Sequence, residues 1–259
     1  MLLKYFNGLI KYRSLLKEFV FRDIKTRYRR SVLGLFWTLL NPLLTMTVMA
    51  ILFSTLFRGN IANFPLYLLS GFMIYNFFSE STNNALYSII SGSSLIKKVY
   101  IPKYLFPLSK VLSTLVNLVA SCLALIIVAV FTGAPITLNL LLLIFPILYI
   151  FLFSLGVGLI LSSIALFFRD VIHFYSVILM LWMYMTPLFY PLDILPPWTM
   201  KIVLLNPLTS IIDYTRMITL YGTFPSFNLN IICLIPGVIA CGLGLWIFYN
   251  TQDRFILHM

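Results

Sequence analysis

The sequence predicts an all-α integral membrane protein with six transmembrane helices, an N-terminal amphipathic interfacial helix and short re-entrant helices between spans five and six. The first reason is composition. Of 259 residues, 61% are hydrophobic and 10% are charged, with a mean hydropathy of +1.01, whereas soluble domains are roughly 25% charged. The second reason is that the charges leave long uncharged runs, and a membrane helix needs roughly 20 apolar residues. We expect a single membrane domain over residues 1–259.

Uncharged stretches define the six predicted spans. The run from Val111 to Phe168 carries no charge and is too long for one helix, so Gly133 and Pro135 are expected to form a turn that divides it. Six spans place both termini on the same side. The predicted spans cover residues 31–57, 65–90, 105–132, 138–168, 171–190 and 229–250.

Basic residues set the expected orientation. Nine of the eighteen Lys and Arg residues lie before position 31, and fifteen in total fall on the side of the termini. The other side holds Arg58, Lys201 and Arg216. Because cytoplasmic loops carry the excess of positive charge, both termini are expected in the cytoplasm. Clustered at a membrane flank, these charges favour contact with anionic lipid and do not indicate nucleic-acid binding.

Three segments outside the spans have their own predicted structure. Residues 1–30 carry apolar side chains at 12, 15, 16, 19 and 20, which share one helical face and predict a cytoplasmic interfacial helix. Residues 91–104 form a short, basic cytoplasmic segment. Residues 191–223 are apolar but broken by prolines, which predicts short helices that are re-entrant or interfacial.

No enzyme motif is present in the sequence. There is no HExxH, no GxSxG, no cysteine–histidine cluster and no GxxxxGK[ST] phosphate loop. The three cysteines lie inside apolar runs without ligand spacing, so no metal site is expected. The chain is therefore not expected to bind or hydrolyse ATP itself.

Glu80 is the acidic residue inside the predicted spans. A charged side chain at the centre of a bilayer costs about 2.5–3.5 kcal/mol on insertion scales, so Glu80 should face protein or water. Two interpretations stay open. Glu80 is part of a polar lining of a translocation path, or its place is structural, as a hydrogen-bond knot between helices or because the span ends earlier. Tyr75 and Phe78 lie nearby, and aromatic rings suit the apolar faces of sugars, although contact with lipid or packing in the core is the favoured explanation for any single one of them.

A series of motifs resembles the ABC-2 type permeases that export polysaccharides and polyol phosphates, which include the O-antigen (Wzm-like), capsular and teichoic acid exporters. One departure concerns the second span, where the family often has a tryptophan and this chain has Tyr75 or Asn76. The matching motifs are RDIKTRYRRSVLGLFWTLLNPL (Arg22–Leu43), LLSGFMIYNFF (Leu68–Phe78), KKVYIPKYLFPLSKV (Lys97–Val111), FRDV (Phe168–Val171), TPLFYPLDILP (Thr186–Pro196) and NPLT (Asn206–Thr209).

The resemblance implies a homodimer in which each copy pairs with a cytoplasmic nucleotide-binding ATPase subunit. Mg-ATP would bind to that partner, and this chain would need no cofactor. The expected docking sites are the interfacial helix, about Leu9–Arg30, and the segment Ser94–Tyr104. The residues expected to couple to the ATPase are Lys97, Lys98, Tyr100 and Lys103.

Further site residues are expected along the export path. Cations near the interfacial helix would meet the pyrophosphate of a lipid-linked glycan, or they would serve only as topology charges. Substrate is expected to enter near Arg13, Lys17, Arg27, Arg29, Arg30 and Trp37. The expected channel lining is Tyr75, Phe78, Glu80 and Asn83. The expected external gate includes Asp193, Pro196 and Trp198.

The functional prediction is the transmembrane subunit of an ATP-driven exporter in a bacterial plasma membrane. Its expected substrate is a lipid-linked polysaccharide, such as the O-antigen of lipopolysaccharide biosynthesis, or teichoic acid. One alternative is an ABC-2 permease for a drug or small lipid. Another is a stand-alone ion-coupled transporter, which would show paired intramembrane charges and internal repeats.

Overall fold

The computed structural model describes residues 8, 10–29, 31, 33–57, 61, 63–135 and 137–255. Helices and their connections make up this part of the chain, which contains no β-strand, so the all-α prediction is confirmed for it. Leu9 and Arg58 lie outside the described residues. In chain order the helices are α1 Arg13–Tyr28, α2 Trp37–Phe57, α3 Phe64–Ser91, α4 Ser93–Ile96, α5 Leu105–Thr132, α6 Ile144–Phe167, α7 Val171–Met185, α8 Pro197–Leu205, α9 Pro207–Thr219 and α10 Phe227–Thr251.

Short 3-10 turns extend or connect these helices. One of them precedes α6 and makes the apolar stretch continuous from Leu138 to Phe167. The turns cover Gly34–Phe36, Leu138–Leu143, Leu192–Ile194 and Gln252–Arg254.

Within the described residues, three helical stretches are long and apolar enough to cross a membrane: Leu105–Thr132, Leu138–Phe167 and Phe227–Arg254. Trp37–Leu52 and Val171–Met185 are shorter apolar helices. These helices agree with a membrane protein, since apolar helices of this length satisfy their own backbone hydrogen bonds in lipid.

Helix α7 is shorter than the span predicted over residues 171–190. It ends at Met185, and Thr186 has extended backbone angles. Pro187 explains the early end, because a proline disfavours helical geometry in the residue before it. Two short helices, α8 and α9, occupy the predicted broken segment 191–223.

Helix α3 forms the centre of the fold. It packs against α2, α5, α6 and α9, and every residue from Leu66 to Phe78 except Asn76 is buried. The ring of Phe78 lies 5.3 Å from that of Phe153 and 5.0 Å from that of Trp182. The middle of α3 is therefore held in one position by aromatic packing from α6 and α7.

Helices α6 and α10 approach each other through small residues. A Cβ atom at Gly156 would lie 2.2 Å from the carbonyl carbon of Ala240, and one at Gly244 would lie 2.5 Å from the carbonyl oxygen of Gly156. Such distances leave no room for a side chain. Glycine at both positions therefore permits the close backbone packing that is typical of membrane helices.

A second apolar cluster joins α1 to the segment 97–104 and to the C-terminal end of α10. Phe19 of α1 is buried, and its ring lies 5.3 Å from that of Phe106. Phe255 is buried in the same cluster, with its ring 5.2 Å from that of Phe248. The apolar side of α1, where Tyr12 and Leu16 also pack, thus faces the chain's own helices.

Candidate functional site

A polar cavity of about 320 Å³ lies where α2, α3 and α5 meet the end of α1. Each of the four helices contributes side chains to it, and most of these are polar although α2, α3 and α5 are otherwise apolar helices. We call it the Glu80 cavity. The lining residues that matter below are Arg27, Trp37, Asn41, Asn76, Glu80 and Asn117.

The Glu80 carboxylate connects three helices. Arg27 of α1 donates through Nη1 to Oε1 and forms an ion pair with it. Asn117 of α5 donates through Nδ2 to both carboxylate oxygens, at 3.1 and 3.0 Å. Glu80 is therefore both a knot between helices and a wall of the cavity, so the two interpretations left open by the sequence are compatible.

A second ion pair fixes α1 beside the cavity. Lys110 Nζ of α5 lies 2.9 Å from Oδ2 of Asp23, whose other oxygen lies 3.7 Å from Arg22. Each partly exposed pair contributes at most about 1 kcal/mol. Together with the packing of Phe19, these pairs set the angle at which α1 meets α3 and α5.

The predicted cations near α1 fall into two groups. Arg27 lines the cavity, as does Trp37, which is 44% exposed. Arg13, Lys17 and Arg29 are exposed on the surface of α1. Arg30 lies outside the described residues.

Of the four residues predicted to line a channel, only Glu80 lines this cavity. The Tyr75 hydroxyl is buried and donates to the carbonyl of Leu179. Phe78 is fully buried in the core, and Asn83 is half-buried on α3. Tyr75 and Phe78 therefore pack the interior of a single chain.

The basic segment after α4 has an exposed tip, Lys97–Tyr100, and a more buried end at Lys103. Lys97 and Lys98 are exposed, and Tyr100 is 91% exposed. Lys103 instead points inward: its Nζ donates to the carbonyl of Gln252 and lies 5.7 Å from the centre of the Phe255 ring. Burial lowers the pKa of Lys103, although nearby Asp253 opposes that shift. Lys103 thus holds the C-terminal end of α10 against the segment, as a cation near helix-end carbonyls does.

The segment between α7 and α10 contains a buried arginine, Arg216. The Arg216 guanidinium lies 3.4 Å from the centre of the Tyr67 ring, and Nη2 donates to the carbonyl of Pro187 at 2.9 Å. Asp213 lies 3.9 Å away on the same helix. We call this group the Arg216 anchor. It attaches α9 to the start of α3 and to the chain that follows α7.

Asn206 makes a second connection in this segment. Its Oδ1 accepts from the indole of Trp182 at 2.9 Å and from the backbone of Leu208 at 3.0 Å. Its Nδ2 donates to the Thr186 hydroxyl at 2.9 Å. Asn206 therefore caps the first turn of α9 and connects that helix to the end of α7. The predicted gate residues Asp193, Pro196 and Trp198 are all exposed nearby.

Sequence reasoning missed the partner of Glu80 on α5 and the role of Asn206. The signal for Asn117 was an amide in an otherwise apolar span, and such residues form hydrogen bonds between membrane helices. The signal for Asn206 was its place before Pro207, because asparagine followed by proline is a common helix start.

Comparison with known proteins gives consistent matches. The profile of the family described as "ABC-2 type transporter" matches residues 14–220. A Myxococcus xanthus protein named "O-antigen export system permease protein RfbA" is 34% identical over 256 residues, 98% of each chain. A Klebsiella pneumoniae protein of the same name is 33% identical over 236 residues, 90% of each chain. The "Capsule polysaccharide export inner-membrane protein CtrC" of Neisseria meningitidis is 24% identical over 210 residues, 79% of this chain and 78% of that one.

Proposed function

This chain belongs to the ABC-2 type transporter family, and from that premise we propose that it is the permease subunit of an ATP-driven exporter. Its substrate is a lipid-linked, O-antigen-like polysaccharide, which it moves out across a bacterial plasma membrane. The observation that carries this proposal is the similarity to O-antigen export permeases along nearly the whole chain. The apolar helices agree with that location.

An ATPase on a separate subunit is part of the proposal. The sequence has no phosphate loop, and the family consists of ATP-driven transporters, so we assign ATP hydrolysis to a partner subunit. The exposed tip Lys97–Tyr100 is the docking surface that we assign to it. An exposed tyrosine such as Tyr100 is typical of interface centres, and the two lysines would steer an acidic partner to it. Lys103 supports this surface by connecting the buried end of the segment to the C-terminal end of α10.

The arrangement in the membrane follows from the same premise. We propose six spans (α2, α3, α5, α6, α7 and α10) with both termini in the cytoplasm, α8 and α9 at the external face, and two copies of the chain per exporter. The charge bias of the loops supports the orientation. Arg13, Lys17 and Arg29 remain exposed for the pyrophosphate of the carrier lipid, whereas Arg27 is already paired with Glu80.

The test is affinity purification of the tagged protein in mild detergent, followed by mass spectrometry of the proteins recovered with it. We expect a soluble ATPase at one copy per permease. The double variant Lys97→Glu, Lys98→Glu should lose it, while Lys201→Glu, an exposed lysine on α8, should retain it. Recovery of a permease that transports in reconstituted vesicles without any ATPase would overturn the proposal.

A further inference from the structure

The Glu80 cavity contains amides that the fold does not use. Asn76 is the exposed residue in the otherwise buried stretch from Leu66 to Phe78, and it faces the cavity. Asn41 on α2 is exposed to the same space. In the described part of the chain, neither amide has a hydrogen-bond partner. Each offers one carbonyl and two N–H groups to whatever occupies the cavity.

The charges of the cavity are already balanced. Among the described residues, Arg27 and Glu80 are the two ionisable ones in its wall, and they pair with each other. Asn117 adds hydrogen bonds to both oxygens of Glu80. A charged ligand would have to break this pair, whereas an uncharged ligand rich in hydroxyl groups can bind to the amides and leave the pair intact.

The lining of the cavity also includes apolar and aromatic side chains. They include Trp37, which is partly exposed, and the buried Met73 and Phe77. A sugar ring has apolar C–H faces that stack on such a surface and hydroxyl groups that bind amides. The volume, about 320 Å³, lies at the lower end of the range for small-ligand sites, which is roughly 300–1,000 Å³.

We propose that the Glu80 cavity is a subsite for an uncharged sugar residue of the exported glycan. This inference rests on the proposed function and specifies where within one chain the glycan is held. Asn41 and Asn76 bind the hydroxyl groups, Trp37 stacks on the ring, and the Arg27–Glu80 pair with Asn117 forms the polar floor. Because Arg27 belongs to α1, the occupant contacts the helix that packs against the ATPase-docking segment.

The test uses the purified full-length permease in lipid nanodiscs and saturation-transfer NMR. The probe is the uncharged oligosaccharide fraction released by mild acid from the surface polysaccharide of the producing cell. We expect saturable binding with a dissociation constant on the order of millimolar, which is typical of a ligand of one or two rings. Asn76→Leu should weaken it about fivefold, the factor for one lost hydrogen bond.

Matched controls make the result decisive. Asn228→Leu changes an exposed asparagine at the start of α10, outside the cavity, and should bind like the wild type. Asn76→Ser guards against misfolding, because the serine hydroxyl can still donate and accept a hydrogen bond, so this variant should retain part of the affinity. Unchanged binding in Asn76→Leu, or displacement of the oligosaccharide by inorganic pyrophosphate, would overturn the proposal. Neither result would affect recovery of the ATPase, so failure of the subsite and failure of the exporter assignment are distinguishable.

Discussion

Two arginines contact different parts of α3, Arg216 at Tyr67 in its first turn and Arg27 at Glu80 just past its middle. They show how the same side chain serves different purposes in this fold. The Arg216 side chain is 6% exposed and that of Arg27 is 34% exposed. Arg216 stacks on Tyr67 and bonds to a backbone carbonyl within a packed interior. Arg27 pairs with Glu80 at the edge of a cavity of about 320 Å³.

The difference in exposure indicates that Arg216 is a structural residue and that Arg27 belongs to a functional site. A guanidinium packed between an aromatic ring and a backbone carbonyl leaves no room for a ligand. Its contacts therefore stabilise the fold. An ion pair beside an open cavity contributes little to stability, because water screens it. Its value lies in giving the cavity polar walls without net charge.

The largest expected effect comes from the Arg216 anchor. Arg216→Gln should lower the free energy of unfolding by about 3 kcal/mol or more. A desolvated cation–π contact contributes about 2 kcal/mol, and a hydrogen bond from a charged donor about 1.5–3 kcal/mol. The measurement is thermal unfolding of the purified permease in detergent.

Lys201→Gln is the control for that prediction, since Lys201 is an exposed cation of the same segment and should cost little. If the Arg216 and Lys201 variants unfolded at the same temperature, the interpretation of Arg216 as a structural anchor would be wrong.

A smaller loss of stability is expected at Asn206. Asn206→Ala removes the acceptor of the Trp182 indole and of the Leu208 backbone, and a buried donor without a partner costs about 1–3 kcal/mol. We expect a loss of about 2 kcal/mol in the same unfolding assay. Asn228→Ala, an exposed asparagine at the start of α10, is the matched control. Equal stability of the Asn206 variant and wild type would show that this connection is dispensable.

The smallest effect on stability, and the largest on ligand choice, is expected at the Glu80 cavity. Glu80→Gln should change the free energy of unfolding by about 1 kcal/mol or less, because the ion pair is partly exposed.

The Glu80→Gln substitution leaves Arg27 without its anionic partner, so the cavity becomes cationic. Pyrophosphate should then bind to the variant and not to the wild type, which titration calorimetry in nanodiscs would measure. A variant that unfolds far more easily than wild type would place Glu80 with Arg216 as a structural residue.

Much of the fold could be predicted from where charges are absent. The turn at Gly133 is an example: α5 ends at Thr132, and Gly133 has a φ of +69°, which glycine adopts without strain. The end of α7 could not be predicted from hydropathy, because the apolar run continues to Leu192 while the backbone leaves the helix at Thr186, before Pro187.

The site was harder to predict than the helices. The sequence marked Arg27 and Glu80 separately, but 53 positions separate them, and no periodicity connects residues on different helices. Tyr75 and Phe78 had the right chemistry for a sugar path, yet both are buried in the core. Side-chain type indicates which chemistry is available, and only the packing of helices decides which side chains share a cavity.

The exporter assignment is tested most directly by deleting the gene in the producing cell and measuring where its lipid-linked glycan is located. We predict that the glycan accumulates on the inner face of the plasma membrane and disappears from the cell surface. Wild type and Asn228→Leu should restore surface glycan, and Asn76→Leu should restore less. Normal surface glycan in the deletion strain would contradict the assignment.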